Sequence, residues 1–301
     1  MTTTLDTDTL TTSDGVRLRV WEHGPADAAT TLLLVHGWTL TTHTWDRVID
    51  AVLSGSSVRI VRFDLRGHGE SAAAPAGSAT IERCADDVAE LIAQRVPTGP
   101  IVLAGHSMGG MTIMALAERY PELFAARVAG AALVATSSGD LVAPTLGLPA
   151  PIASVANRVE FGVRGALANA RGKRLSGNSR ALRPGMRWLL FGTGPESRDV
   201  ADTADWVAAC NPSNMAGFRT SLAAHDRAHA LTALRSIPVV VLAGLKDRLC
   251  PLPHARRIAD ALPDAELLLY SGAGHMLPLE RTGEVADRIT ELVHAAEPVR
   301  H

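Results

Sequence analysis

One serine constrains this chain more than any other residue. Ser107 stands between Gly105-His106 and Met108-Gly109, after the apolar run Ile101-Val102-Leu103-Ala104 and before Met108 to Tyr120, which can form a helix. A strand feeding straight into a helix must turn sharply. The side chain at the apex is then held out of the core on unfavourable backbone dihedrals, in a nucleophile elbow. Gly105 and Gly109 supply the room, because a Cβ at either place would crowd the turn. A serine among glycines can mark nothing more than a turn. Here the strand, the helix and several distant residues agree on a nucleophile.

Short apolar runs alternate with longer helical patterns along the 301 residues, which predicts an α/β fold: a mostly parallel twisted sheet flanked by helices. Strands are expected at Val16–Trp21, Thr31–Val35, Val58–Phe63, Val128–Val134, Pro238–Ala243 and Ala265–Leu269. Helices are expected over Ile81–Val96, with Ile81, Val88, Leu91 and Ile92 on one face, over Pro251–Leu262, and from about Glu284 to His294. Between Thr136 and Leu231 the rhythm breaks: Pro144, Pro149, Pro151, Pro184 and Pro195 punctuate it and β-branched strands disappear. We read 1–136 with 232–301 as the core and 137–231 as a helical cap insertion over the carboxyl ends of the strands, where open sheets bind ligands.

A serine hydroxyl needs a base to act as a nucleophile at neutral pH, usually a histidine oriented by a carboxylate. Two candidates follow in order. Asp247 lies in Gly244-Leu245-Lys246-Asp247 and His275 in Gly272-Ala273-Gly274-His275-Met276, each just after a predicted strand. Both therefore fall on the sheet edge where Ser107 emerges. Taken singly, Asp247 could be a helix cap and His275 a turn residue. The Met108 N–H, at the start of the helix after Ser107, is the expected donor to an oxyanion.

With these residues in place the chain resembles the α/β-hydrolase superfamily. The resemblance rests on His36-Gly37-Trp38, Asp64-Leu65-Arg66-Gly67-His68-Gly69-Glu70-Ser71, Gly105-His106-Ser107-Met108-Gly109-Gly110, Gly244-x-x-Asp247 and Gly274-His275, all in order. Within it the chain looks most like serine carboxylesterases and monoacylglycerol-lipase-like enzymes, and is similar to cofactor-free haloperoxidases. The resemblance implies a Ser107–His275–Asp247 triad and a second oxyanion donor at the Trp38 N–H. It makes Asp64, Arg66 and His68 a loop that braces the sheet, and Asp140 an alternative place for the acid. It implies a small-molecule ester substrate and no cofactor or metal. Perhydrolase or carbon–carbon hydrolase chemistry on the same triad, or a non-catalytic binding protein, remain open. A serine at the elbow argues against haloalkane dehalogenases and most epoxide hydrolases, which place aspartate there.

Composition narrows the setting. A net charge of −2 offers nothing to nucleic acid. Three scattered cysteines, Cys84, Cys210 and Cys250, and a polar, threonine-rich start fit a reducing cytoplasm with no secretory signal. His225 and His229 have the i, i+4 spacing of a metal pair on a helix, but Asp226-Arg227-Ala228 between them lacks a zincin's glutamate. We read them as a solvated or helix-packing pair. From Arg158 to Arg198 nine basic residues face two acidic ones, either a solvated face or one drawn to anionic substrates or a membrane surface.

Overall fold

The computed structural model describes residues 4–141 and 175–297. Eight strands form one sheet in the order β1-β2-β4-β3-β5-β6-β7-β8. They are β1 (Thr4–Thr11), β2 (Arg17–His23), β3 (Thr31–Val35), β4 (Arg59–Phe63), β5 (Ile101–His106), β6 (Val128–Val134), β7 (Val239–Gly244) and β8 (Glu266–Tyr270). β1 pairs antiparallel with β2 and β2 with β4; every other pairing is parallel. The six expected strands are present within two residues of their expected ends. β1 was not anticipated: its threonine-rich sequence has no apolar alternation to announce it, and its ladder to β2 is what orders it.

The central strands are buried on both faces, as helix-covered parallel strands must be. Leu33 and Val35 of β3 point into one core with Ile81, Val88 and Leu91, while Leu32 and Leu34 point into a second with Val48, Ile49 and Ile289. The helices that supply those partners are α1 (Asp46–Gly55), α2 (Ile81–Arg95) and α10 (Thr282–Ala296). α3 (Met108–Arg119) leaves the tip of β5, and α4 (Pro121–Arg127) follows it. α8 (Leu252–Ala261) and the single-turn α9 (Leu277–Glu280) flank β8.

Between β6 and β7 the described residues form α5 (Arg183–Leu190), α6 (Ser197–Ala209), α7 (Pro212–Ala224) and a 3-10 helix, Ala228–Ser236. α7 and the 3-10 helix are tied into the body of the molecule. Phe218, Leu231 and Leu234 join the first core, and the Asn214 side chain bonds both backbone groups of Ala74. α5 and α6 instead share a small separate cluster in which Leu190, Phe191 and Val200 meet Leu40 and Met276. Of the basic stretch, Arg158, Arg164, Arg171, Lys173 and Arg174 lie outside the described residues. Arg180, Arg187 and Arg198 are exposed.

The order of strands fixes where a site can form. From β3 the sheet grows one way to β4, and from β5 the other way to β6. The loops leaving β3 and β5 therefore diverge, which opens a crevice at the carboxyl ends of the two strands. Val35 pairs with Gly105 at that edge, bringing His36-Gly37-Trp38 against the Ser107 turn.

Candidate active site

Ser107 occupies the apex between β5 and α3 with φ +53° and ψ −118°, a conformation that L-residues rarely adopt. Such strain costs on the order of 1–3 kcal/mol and persists only where packing enforces it. Here backbone contacts enforce it. A Cβ on Gly105 would lie 2.5 Å from the Gly109 carbonyl carbon, and one on Gly109 only 2.1 Å from the Val35 carbonyl oxygen. The Ser107 carbonyl accepts the Gly110 N–H at 2.9 Å and the Thr136 hydroxyl at 2.7 Å. Thr136, at the end of β6, was not anticipated; nothing in its sequence context separates it from any loop threonine.

The first oxyanion candidate, Met108, is the first residue of α3, so its N–H has no intrahelical carbonyl to bond. The second, Trp38, follows Gly37, on which a Cβ would meet Ser107 Cβ at 3.1 Å and His106 Nδ1 at 3.0 Å. Thr39 beside it takes φ +63°, unusual for a β-branched residue, and its hydroxyl bonds the Trp38 carbonyl at 2.6 Å. The backbone at Trp38 is thus held in a set shape against the elbow.

Asp247 and His275 sit side by side. His275 Nδ1 lies 2.7 Å from Asp247 Oδ2, both side chains buried. The other oxygen, Oδ1, accepts the N–H groups of Leu249 and Cys250 at 2.8 and 2.9 Å. Burial pushes the Asp247 carboxyl up, but the His275 charge and these donors outweigh it and leave the pKa lowered. An ionised Asp247 accepts from Nδ1–H, which leaves His275 Nε2 as the nitrogen able to take a proton. Asp140 is elsewhere: it is exposed and paired with Arg257.

His106 links the two halves. Its Nε2 donates to the His275 carbonyl at 2.8 Å, and the two rings lie 4.9 Å apart. Burial and the neighbouring His275 push its pKa down to about 3, so the ring is neutral. His36 is neutral too, its pKa lowered to about 4 by burial. One ring nitrogen lies 2.8 Å from the Gly37 carbonyl and the other accepts the Leu65 N–H at 2.9 Å, which uses both. The Ser107 hydroxyl to His275 ring bond is not among the hydrogen bonds of the described residues; such bonds often tighten only around substrate.

The neighbouring polar residues hold loops. Asp64 accepts the backbone N–H groups of Thr42 and Glu70, and Arg66 is fully buried in a two-pronged pair with Asp87. His225 and His229 do not share the helix that their spacing suggested. His225 lies past the end of α7 and bonds the Ser137 carbonyl, whereas His229 lies in the 3-10 helix against Glu118. The chain leaves α-helical geometry between them, which removes the i, i+4 alignment. Among the described residues no group of three or more metal-ligating side chains converges.

The comparisons with known proteins agree with the fold. A family profile described as alpha/beta hydrolase fold matches residues 30–282. A dihydrolipoyllysine-residue acetyltransferase component of the acetoin cleaving system from Pseudomonas putida is 28% identical over 90% of this chain, which spans 65% of that relative's length. The pimeloyl-[acyl-carrier protein] methyl ester esterase of Chromobacterium violaceum is 28% identical over 81% of this chain and 86% of its own. A thermophilic esterase from Thermogutta terrifontis superposes with a TM-score of 0.76 at 25% identity, covering 97% of this chain and 100% of that one. By the match over most of its length, this chain belongs to the alpha/beta hydrolase fold family.

Proposed function

We propose that the protein is a serine hydrolase that cleaves carboxylic esters through an acyl-enzyme on Ser107. The observation that carries this reading is the buried His275–Asp247 pair, 2.7 Å apart and tied through His106 to the chain that turns at Ser107 on a strained strand-to-helix apex. Ser107 Oγ attacks the acyl carbon while His275 Nε2 takes its proton. The N–H groups of Met108 and Trp38 receive the oxyanion. The protonated His275, stabilised by Asp247, then delivers the proton to the leaving alcohol. Water activated by the same ring releases the acid and restores Ser107. The esterase named among the relatives fits this reading. The test is turnover of p-nitrophenyl esters of increasing acyl length by the wild type, Ser107→Ala and His275→Ala. Each substitution should lower kcat by about 10⁴-fold or more, and the double variant by no more than either alone, because the two act as a unit. Unchanged turnover in a folded Ser107→Ala would refute the proposal.

A further inference from the structure

We propose that Glu280 is a positioning residue that holds His275 in register with Asp247 and couples that register to the segment between β6 and β7. The inference rests on the reading of His275 as the general base. Glu280 ends the single-turn helix after the His275 loop, and its carboxylate turns back onto that loop. Oε1 accepts the Gly274 N–H at 3.0 Å and the Met276 N–H at 3.2 Å, so the bonds fall on both sides of His275. Oε2 accepts the N–H of Gly192, from the turn after α5, at 2.7 Å.

The same turn grips the loop by its backbone. The N–H groups of His275 and Met276 reach the Leu190 carbonyl at 2.7 and 3.2 Å, and the Thr193 N–H reaches the Gly272 carbonyl at 2.7 Å. Residues 274 to 276 thus have every N–H bound, either to Glu280 or to Leu190. The approach is so close that a Cβ on Gly192 would stand 1.9 Å from the Gly272 carbonyl oxygen. A simple helix cap would tie Met276 alone. This carboxylate also spans His275 to Gly274 and crosses to another segment, and N–H bonds to an ionised acceptor are roughly twice as strong as neutral ones. A loop so tied fixes the His275 Cα at the distance from which its ring reaches Asp247, and loosening it lets Nδ1–H lose its partner.

The readout is the low-field proton resonance of the His275 Nδ1–H hydrogen-bonded to Asp247, assigned by its loss in His275→Ala. In folded Glu280→Ala it should broaden or vanish, while kcat falls by about ten- to a hundredfold with KM little changed, the signature of misplacement without lost binding. Glu280→Gln keeps an acceptor oxygen for Gly274 and Met276 and should restore most of the resonance and of kcat. If the alanine variant does not fold, Glu280→Asp, too short to reach both segments, takes its place. A sharp, unshifted resonance in the folded alanine or aspartate variant would overturn the proposal. Because the resonance needs no turnover, it decides the role of Glu280 even if Ser107→Ala shows that the ester chemistry is wrong.

Discussion

The two halves of the candidate site are held in place by different means. Ser107 is set by sterics inside the sheet: β5 enters, α3 leaves, Gly105 lets the turn close on Gly109, and Gly109 lets it pack against Val35 of β3. His275 stands on a loop held by Glu280, five residues on, and by Leu190 and Gly192 from a segment more than eighty residues earlier. The first half is a property of the core and should fail only when the core does. The second half is a docking between segments, and can fail while the sheet stands.

Two glycine substitutions would break the comparison if it is wrong. Gly109→Ala puts a Cβ 2.1 Å from the Val35 carbonyl, inside the rigid sheet, and should cost about 3 kcal/mol or more, beyond ordinary overpacking. Melting temperature and activity should fall together. Gly192→Ala meets the Gly272 carbonyl at 1.9 Å, yet its neighbours belong to two loops that can part. Thermal melting and ester turnover should there separate: activity falls by about tenfold or more while the melting temperature moves little. Equal loss of stability in both would mean that the His275 loop is as much core as the elbow.

The same division explains what was legible in the sequence. The elbow is local, so its five residues between an apolar run and a helical pattern announce it. Asp247 and His275 also sit in short glycine-marked turns after apolar strands, and strand ends carry that signal. Gly192 and Glu280 sit in no pattern of their own. A glutamate five residues beyond His275 is indistinguishable in sequence from a solvated one, because its partners are backbone groups 4, 6 and 88 residues away. β1 was hidden for a related reason: a polar strand is ordered by its ladder, which periodicity does not record. The i, i+4 spacing of His225 and His229 suggested one helix under both, but the helix ends at Ala224, before either of them.

Acid should act first on the elbow half. His36, His68 and His106 crowd that side with pKa values lowered by burial to about 4, 3 and 3. An unfolded histidine takes a proton near pH 6.5, whereas these stay neutral while folded, so their stability contribution is complete above about pH 6.5 and is lost as pH falls toward 4. Each contributes a slope of up to about 1.4 kcal/mol per pH unit in that window. Urea unfolding midpoints measured from pH 7 to 4.5 should fall steadily. A flat profile would show that these rings titrate freely. Asp247, with a lowered pKa, adds its own loss only below the ordinary carboxylate range.

The most direct measurement is the site of reaction with a fluorophosphonate, which phosphonylates a serine only where a base and oxyanion donors activate it. Peptide mass spectrometry after treatment of the wild type should find one adduct, on Ser107, with none in Ser107→Ala and much slower formation in His275→Ala. A folded wild type that stays unlabelled, or that carries its adduct on another residue, would contradict a serine hydrolase built on Ser107 and favour a binding protein on the same scaffold.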